Sequence, residues 1–351
     1  MIHLRTPRGL KVPVPEEPRE DPSPRFALED GEGIRQYYRQ NGYVVIGGLI
    51  DRDDCVGLRA LWDRSVKPSR DFIYRQATAK AERHVFNAQG WVMNPILNLQ
   101  SVDPQRYPDF RRFAVERILT ARRLVDAFKL LLDEPPKIVQ SMYFEGNSAT
   151  WEHQDSYYLD SEHVGSMAAA WIALEDIAPS AGRFFVCPRS HRIDLGRQSF
   201  RTNIADNHEA YIQMVVGKMR ELDLPIRAPC LRQGDVLLWN AWTIHGSLDS
   251  QDAAHSRSSV TCHAIPQSHR FLQLQTRLMK LDLVTVNGVG IHCPKDLGRA
   301  RNRVIFHFET SHPKAFYWAK RTGIRWLFRL KWLFRLKRPS HGAAGAVAGG
   351  S

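Results

Sequence analysis

Two histidines and one aspartate are the side chains in this sequence best placed to hold a metal ion. His153 and Asp155 are two residues apart in TWEHQDSYYLD, and His245 lies 90 residues after Asp155, in NAWTIHGS. On a strand, residues i and i+2 project from the same face, so both side chains can reach one ion. Two imidazoles and a carboxylate suit non-haem Fe(II), and they leave three coordination positions open for a two-atom chelator such as 2-oxoglutarate and for O2. A chance triplet, in which His153 caps a loop and Asp155 turns it, is the alternative.

A buried arginine is predicted close to these residues. Arg257 follows His245 by twelve residues, and if HSRSSVTCHAI is a strand, Arg257, Thr261 and His263 share one face. An inward guanidinium requires an anion, and the distal carboxylate of 2-oxoglutarate matches it in bidentate fashion. The alternative is that Arg257 lies on the surface. For His263, an ordinary core histidine is favoured over a metal ligand.

Short strands in the second half of the chain are predicted to position these residues. A strand is predicted over Tyr43–Ile46, helices flank it, and a later helix is predicted over Glu209–Arg220. Many short strands after a helical front half predict a mixed α and β fold, in which a double-stranded β-helix (jelly roll) core carries packed outer helices. The other predicted strands are residues 137–145, 166–174, 183–188, 234–240, 258–265 and 303–309.

Composition divides the chain into three parts. Residues 1–30 are rich in proline and charge and predict a flexible N-terminal arm. Residues 31–312 are predicted to form one domain, with the ligand-bearing region at about 137–265. Residues 313–351 form a basic aromatic C-terminal tail, in which WLFRLK occurs twice in succession. His163, His191 and His208 stand in polar, loop-like sequence and are predicted to be surface residues.

Three blocks of sequence resemble the phytanoyl-CoA dioxygenase family of Fe(II)/2-oxoglutarate-dependent oxygenases. The blocks are QSMYFEGNSATWEHQDSYYL, AAWIALEDIAPSAGRFFVCPRSHR and GDVLLWNAWTIHGS with its downstream arginine. They follow the family's order and approximate spacing over about 130–265, and NGYVVIGGLID (41–51) extends the match forward. The resemblance implies that His153, Asp155 and His245 bind the iron and that Arg257 anchors 2-oxoglutarate.

The same resemblance suggests further cosubstrate contacts. Trp171 and Met142 match positions that line the family's 2-oxoglutarate site, and Ser247 matches a hydroxyl that binds its carboxylate. For Trp171 and Met142, an ordinary place in the core is the alternative. Two regions depart from the family pattern and are predicted to border the substrate: Glu145-Gly146, where relatives often carry lysine-proline, and residues 196–230.

The function implied by the resemblance is an Fe(II)- and 2-oxoglutarate-dependent dioxygenase. Such an enzyme consumes O2, releases succinate and CO2, and hydroxylates an unactivated C–H bond of a small-molecule or lipid-like substrate. Asp155 fills the position that related halogenases leave to chloride, which favours hydroxylation. Desaturation and cyclisation would use the same ligands. The alternative is a non-catalytic jelly-roll protein that binds a ligand or associates with a membrane.

The formal charge of +12 suits anionic partners, among them an anionic substrate, and background charge on a soluble protein is an equal alternative. No nucleic-acid partner is expected, because recognition motifs are missing and the basic residues concentrate in the tail. The segment 325–338, RWLFRLKWLFRLKR, predicts weak contact with an anionic membrane surface. Packing of its aromatic side chains on the barrel, or self-association, is the alternative.

The sequence predicts a cytoplasmic protein, peripheral on the inner face of the membrane if the tail makes that contact. No run of 18 apolar residues occurs, and the N-terminus lacks the apolar core of a secretory signal. The five cysteines are dispersed without a CxxC pair, which predicts reduced thiols.

Overall fold

In the computed structural model, which describes residues 1–193, 195 and 204–323, short strands outnumber helices. The α-helices of this described part are α1 (Gly31–Asn41), α2 (Arg52–Leu61), α3 (Pro108–Phe113), α4 (Arg122–Leu132), α5 (Ile204–Glu221) and α6 (Ala300–Ser311). Its 3-10 turns are Pro18–Glu20, Leu99–Ser101, Asp155–Tyr157, Pro179–Ala181 and Ser190–Arg192, and its π-helical turns are Trp62–Val66 and Ala114–Leu119.

The strands of the described residues are, in chain order, β1 (Ile2–Arg5), β2 (Lys11–Val14), β3 (Arg25–Phe26), β4 (Tyr43–Ile46), β5 (Ile73–Tyr74), β6 (Ala81–Glu82), β7 (Ile96–Leu97), β8 (Pro136–Phe144), β9 (Leu159–Ser161), β10 (Ala168–Ala173), β11 (Phe184–Val186), β12 (Val236–Asn240), β13 (His245–Ser247), β14 (Ser259–Pro266), β15 (Phe271–Gln273), β16 (Arg277–Met279), β17 (Leu283–Val286) and β18 (Val289–His292).

One nine-stranded sheet forms the backbone of the fold. Its strand order is β17-β18-β8-β14-β10-β12-β4-β3, and β7 pairs with β8 at the side of this path. Within the central run β8-β14-β10-β12-β4 each strand is antiparallel to the next, whereas β18 pairs with β8, and β3 with β4, in parallel. Smaller sheets, β11-β13 and β16-β15-β9, accompany it. The predicted mixed fold with a jelly-roll core is confirmed.

Residues of the central strands alternate between two cores, as the two-residue period of a strand requires. On β10, Ala168, Ala170 and Ile172 belong to the core that is shared with helices α1 to α4. The intervening Ala169 and Trp171 face the interior between the sheets. The outer helices therefore stabilise one face of the sheet and leave the other to line a site.

Most predicted strands are confirmed, with ends that shift by at most two residues. The helix predicted over Glu209–Arg220 lies within α5. The strand predicted over 303–309 is wrong, because these residues lie in α6. Valine, isoleucine and phenylalanine favour strands only where a neighbouring strand is available for pairing, and here local helix formation prevails.

The predicted flexible arm over residues 1–30 is also wrong. The strands β1 and β2 pair as a hairpin, and Leu4, Val12 and Val14 are buried against residues that include Phe185 and Val215. Arg183 is buried as well and donates a hydrogen bond to the Pro15 carbonyl at 2.6 Å. Alternation of buried and exposed residues in KVPV makes this hairpin possible despite the prolines nearby.

The chain divides into two units, Met1–Asn302 and Arg303–Ser351, so the N-terminal hairpin belongs to the same unit as the sheet. The predicted boundaries of the 31–312 domain otherwise remain a prediction. Of the predicted tail, residues 324–351, which include 325–338, lie outside the described residues. Across the described part of the chain, no helix combines the length and apolar character needed to cross a membrane.

Candidate metal centre and cosubstrate site

His153, Asp155 and His245 meet in the interior of the jelly roll. The backbones of His153 and His245 form a two-way bridge, with N–O distances of 3.0 and 2.9 Å. Asp155 opens the 3-10 turn that follows His153, and its Oδ1 lies 3.6 Å from His153 Nε2 and 3.5 Å from His245 Nε2. One potential ligand atom from each residue lies within 4.8 Å of the others, and all three residues are buried.

Both imidazole rings are held with the same nitrogen towards Asp155. His153 Nδ1 lies 2.8 Å from the Trp151 carbonyl, and His245 Nδ1 lies 2.9 Å from the Thr243 carbonyl. A carbonyl only accepts, so each Nδ1 carries the proton and donates it. The lone pair then lies on Nε2, where it can bind a metal ion.

The protonation states also suit a metal ion. Burial, together with the adjacent His245, lowers the pKa of His153. Burial alone would raise the pKa of Asp155, but the neighbouring rings of His245, His263 and His153 hold that pKa well below its ordinary value. Metal ions bind neutral imidazole and ionised carboxylate, so the folded chain favours the forms that coordinate.

Arg257 lies immediately before β14 and is buried, with 2% of its surface exposed. Its Nη1 donates to the Gly182 carbonyl at 3.1 Å, whereas its Nε is buried without a partner among the described residues. Burial lowers the pKa of Arg257 to about 10, so the guanidinium remains charged at neutral pH. A buried cation with an unsatisfied donor requires an anion, and Arg257 lines the same cavity as the triad.

The other predicted cosubstrate residues line this cavity too. Met142, Thr261 and Trp171 stand side by side on three neighbouring strands, β8, β14 and β10. Ser247 also lines the cavity, and its Oγ accepts a hydrogen bond from the Thr150 amide at 2.6 Å. The structure therefore brings together all seven residues that the sequence singled out, although their roles remain predictions.

The cavity has a volume of about 430 Å³, enough for a small organic molecule beside a cosubstrate. Several residues that sequence reasoning missed contribute to it. Tyr158 and His208 form a hydrogen-bonded pair in its lining, with 2.7 Å between the hydroxyl oxygen and Nε2. His208 lies on α5, so its prediction as a surface residue is wrong. The departure of residues 196–230 from the family pattern predicted that this region borders the substrate, but no sequence signal singled out His208 within it.

Two further missed contacts concern Asp155. Its Oδ2 accepts a hydrogen bond from Trp239 Nε1 at 2.9 Å and lies 3.4 Å from His263 Nε2. The alternation of HSRSSVTCHAI placed His263 in the interior, and its 2% exposure agrees with that prediction. What the alternation could not predict is that the ring reaches a triad residue.

Glu145 does not border the cavity, which corrects one expectation. It is buried just beyond β8, and its carboxylate accepts hydrogen bonds from Trp62 Nε1, Lys67 Nζ and the Val92 amide. These three donors explain how a carboxylate can be buried there. Of the region 196–230, His208 lines the cavity, and residues 196–203 lie outside the described residues.

The donor set fits a non-haem iron site with a chelating cosubstrate. A facial pair of imidazoles and a carboxylate leaves three positions of an octahedron open, and 2-oxoglutarate fills two of them. The buried Arg257, with a donor that lacks a partner, fits the distal carboxylate of that cosubstrate.

Comparisons with known proteins agree with this site. A family model described as phytanoyl-CoA dioxygenase (PhyH) matches residues 38–258. The peroxisomal phytanoyl-CoA dioxygenase of Rattus norvegicus is 24% identical over 241 residues, which are 65% of this chain and 66% of the rat protein. The chain thus spans slightly less than two thirds of that relative's length.

Solved structures share the fold. The non-haem alpha-ketoglutarate-dependent carbocyclase SnoK from nogalamycin biosynthesis superposes with a TM-score of 0.51 at 17% identity, covering 73% of this chain and 91% of SnoK. The epimerase SnoN, in complex with Fe3+, alpha-ketoglutarate and nogalamycin RO, gives a TM-score of 0.50 at 17% identity, covering 77% and 97% of the two chains.

Proposed function

Because this chain belongs to the phytanoyl-CoA dioxygenase family of Fe(II)/2-oxoglutarate-dependent oxygenases, we propose that it hydroxylates an unactivated C–H bond of a small-molecule or lipid-like substrate. The observation that carries the proposal is the shared cavity. It is lined by a buried His-Asp-His group and by a buried arginine that has an unpaired donor. A protein that merely binds a ligand needs neither feature.

Each site residue has its own role in the proposed reaction. His153, Asp155 and His245 hold the metal, with the imidazoles fixed by the Trp151 and Thr243 carbonyls. Arg257 binds the distal carboxylate of 2-oxoglutarate, which aligns the cosubstrate along the row that contains Met142, Thr261 and Trp171. Iron, when bound, supplies the activation of O2 that is coupled to oxidative decarboxylation of 2-oxoglutarate to succinate and CO2.

The remaining lining favours a substrate whose enclosed part is neutral. Among the described residues that line the cavity, Arg257 is the single arginine or lysine and Asp155 is the single carboxylate, and both already have roles. Gln140, Tyr158 and Thr261 offer polar contacts without a net charge. A charged group of the substrate would therefore remain outside this cavity.

Isotope labelling tests the proposal. Compounds that accumulate in a strain lacking the protein would be incubated with the purified enzyme, Fe(II), 2-oxoglutarate and ¹⁸O2. Hydroxylation predicts succinate in proportion to product, with one labelled oxygen in each product molecule. Desaturation or cyclisation predicts succinate with an unlabelled product. If no Fe(II)-dependent succinate forms with any compound, the dioxygenase proposal fails and a non-catalytic binding protein is favoured.

We further propose a cytoplasmic location, with loose attachment of segment 325–338 to anionic membranes through its basic and aromatic residues. Co-sedimentation with anionic vesicles tests this attachment. The full chain should pellet at low salt, and a chain truncated after Arg321 should not. Equal behaviour of the two chains would exclude a role for the segment.

A further inference from the structure

The two carboxylate oxygens of Asp155 have different surroundings. Oδ1 faces the Nε2 atoms of His153 and His245 at 3.6 and 3.5 Å. Oδ2 faces Trp239 Nε1 at 2.9 Å and His263 Nε2 at 3.4 Å. Oδ1 thus faces the prospective metal position, whereas Oδ2 faces the ring nitrogens of two residues on the sheet, Trp239 and His263.

We propose that Trp239 and His263 are positioning residues that hold Oδ2, so that Asp155 offers the metal a single oxygen. This inference rests on the proposed function. A carboxylate can bind a metal through one oxygen or through both. If Asp155 used both, the protein would occupy four of six octahedral positions, and only two would remain for the three donor atoms of 2-oxoglutarate and O2. Monodentate binding leaves the three positions that are needed.

The chemistry of the two rings fits this role. An indole N–H can only donate, so the direction of the Trp239 hydrogen bond is unambiguous. His263 Nε2 faces an acceptor, which selects the tautomer with the proton on Nε2. Its Nδ1, buried and without a hydrogen-bond partner in the described part of the chain, is then an acceptor.

The sheet register explains why both rings reach one carboxylate. Trp239 on β12 and His263 on β14 are both paired with Ala169 on the strand between them. The methyl group of Ala169 leaves room above β10, and the two rings meet there edge to face, with centroids 6.2 Å apart. Convergence on Asp155 therefore depends on a small residue at position 169.

Iron binding tests the inference without any substrate. Fe(II) affinity is measured anaerobically by competition with a chelator, and the visible charge-transfer band that 2-oxoglutarate produces on the iron is then recorded. Trp239→Phe, which removes the N–H donor together with the five-membered part of the indole, and His263→Leu should each weaken Fe(II) binding about 10- to 100-fold, the usual effect of losing such an outer contact. His263→Gln retains an N–H donor and should recover most of the affinity.

Trp62→Phe is the matched control. Trp62 is equally buried, and its Nε1 donates to the Glu145 carboxylate at 3.0 Å, so the same chemical change is made away from the triad. Its Fe(II) affinity should match that of the wild type. Thermal unfolding of each metal-free variant identifies general damage, and if Trp239→Phe does not fold, the comparison of His263→Leu with His263→Gln decides.

Two outcomes would overturn the inference. In the first, Trp239→Phe and His263→Leu both bind Fe(II) within about threefold of the wild type and give the same charge-transfer band. In the second, His263→Gln is as impaired as His263→Leu, which would mean that ring packing matters and the donor does not. Failure of the wild type itself to bind Fe(II) would instead remove the proposed function.

Discussion

Arg257 brings a positive charge into the interior that no acidic side chain of the described residues neutralises. Burial is the single cause that lowers the pKa of Arg257. The ring centroid of Phe144 lies 5.7 Å from the guanidinium carbon. Desolvation of this cation has a cost in folding free energy that a bound anion would offset. We propose that Arg257 serves to bind an anion and not to stabilise the fold.

Arg257→Ala should therefore raise the KM for 2-oxoglutarate far more than it changes the KM for the primary substrate. Loss of a charge-assisted bidentate pair costs about 2–4 kcal/mol, or roughly 30- to 1000-fold. Steady-state succinate formation at varied 2-oxoglutarate measures the effect. Arg270→Ala is the control, because Arg270 is exposed and pairs with Glu162. An unchanged KM in Arg257→Ala would place the anchor elsewhere.

At the scale of single residues, the sequence predicted those site residues whose spacing along the chain forms a recognisable pattern. His153 and Asp155 were predictable as a pair from their two-residue spacing, although Asp155 opens a 3-10 turn and does not continue a strand. Arg257 and His263 were predictable because of strand alternation. Trp239 was not, since an aromatic residue in an apolar run has the same pattern whether it fills the core or contacts a ligand. Tyr158 stands in the polar stretch HQDSYYLD, which gives no signal for its contact. His208 required knowledge of where α5 packs.

Among the elements, the N-terminal hairpin and α5 together support one wall of the cavity. Arg8, in the turn between β1 and β2, forms an ion pair with Glu209 of α5 at 2.6 Å. Its backbone carbonyl accepts a hydrogen bond from Arg220 at the other end of α5. Next to the first of these contacts, α5 presents His208 to Tyr158. The hairpin thus stabilises a helix that contributes directly to the site.

Leu4→Ala should destabilise the protein by about 2–5 kcal/mol, because Leu4 is buried and its loss leaves a cavity. His3→Ala, on the exposed face of the same strand, should change the free energy of unfolding by less than about 0.5 kcal/mol. Urea denaturation of the metal-free proteins provides both values. Equal stability of the two variants would indicate that the hairpin does not contribute to the core.

Prediction of elements succeeded where burial enforced a pattern. The strands β8, β10, β12 and β14 carry long apolar or alternating runs because both of their faces are buried. The hairpin was missed because its strands are four residues long and prolines dominate the composition around them. The 303–309 segment was mistaken for a strand, since composition does not reveal whether a partner strand exists.

For the molecule as a whole, histidines that are wholly or partly buried link stability to pH. Burial is the largest cause of a lowered pKa at several histidines, which are His84, His153, His191, His208, His269 and His292. The unfolded chain takes up protons at these positions near pH 6.5, whereas the folded protein does so only at lower pH. The contribution of these histidines to stability is therefore fully present above about pH 6.5, and it is lost as the pH falls through that value.

His84 provides the sharpest test, because burial and the neighbouring Arg75 lower its pKa to about 4. His84→Gln should lose less unfolding free energy between pH 6.5 and pH 4 than the wild type, since the glutamine binds no proton. His163→Gln, at an exposed position, should follow the wild type. Denaturation curves at several pH values give the slopes. Equal slopes for His84→Gln and the wild type would contradict the lowered pKa of His84.

The central claim is that His153, Asp155 and His245 together hold Fe(II), with 2-oxoglutarate bound beside them. Anaerobic titration of the wild type and His245→Ala with Fe(II), followed by 2-oxoglutarate, tests it most directly. The wild type should bind one Fe(II) per chain and develop a visible charge-transfer band with the cosubstrate, and His245→Ala should do neither while its metal-free fold stays intact. Near-normal iron content and an undiminished band in His245→Ala would contradict the claim.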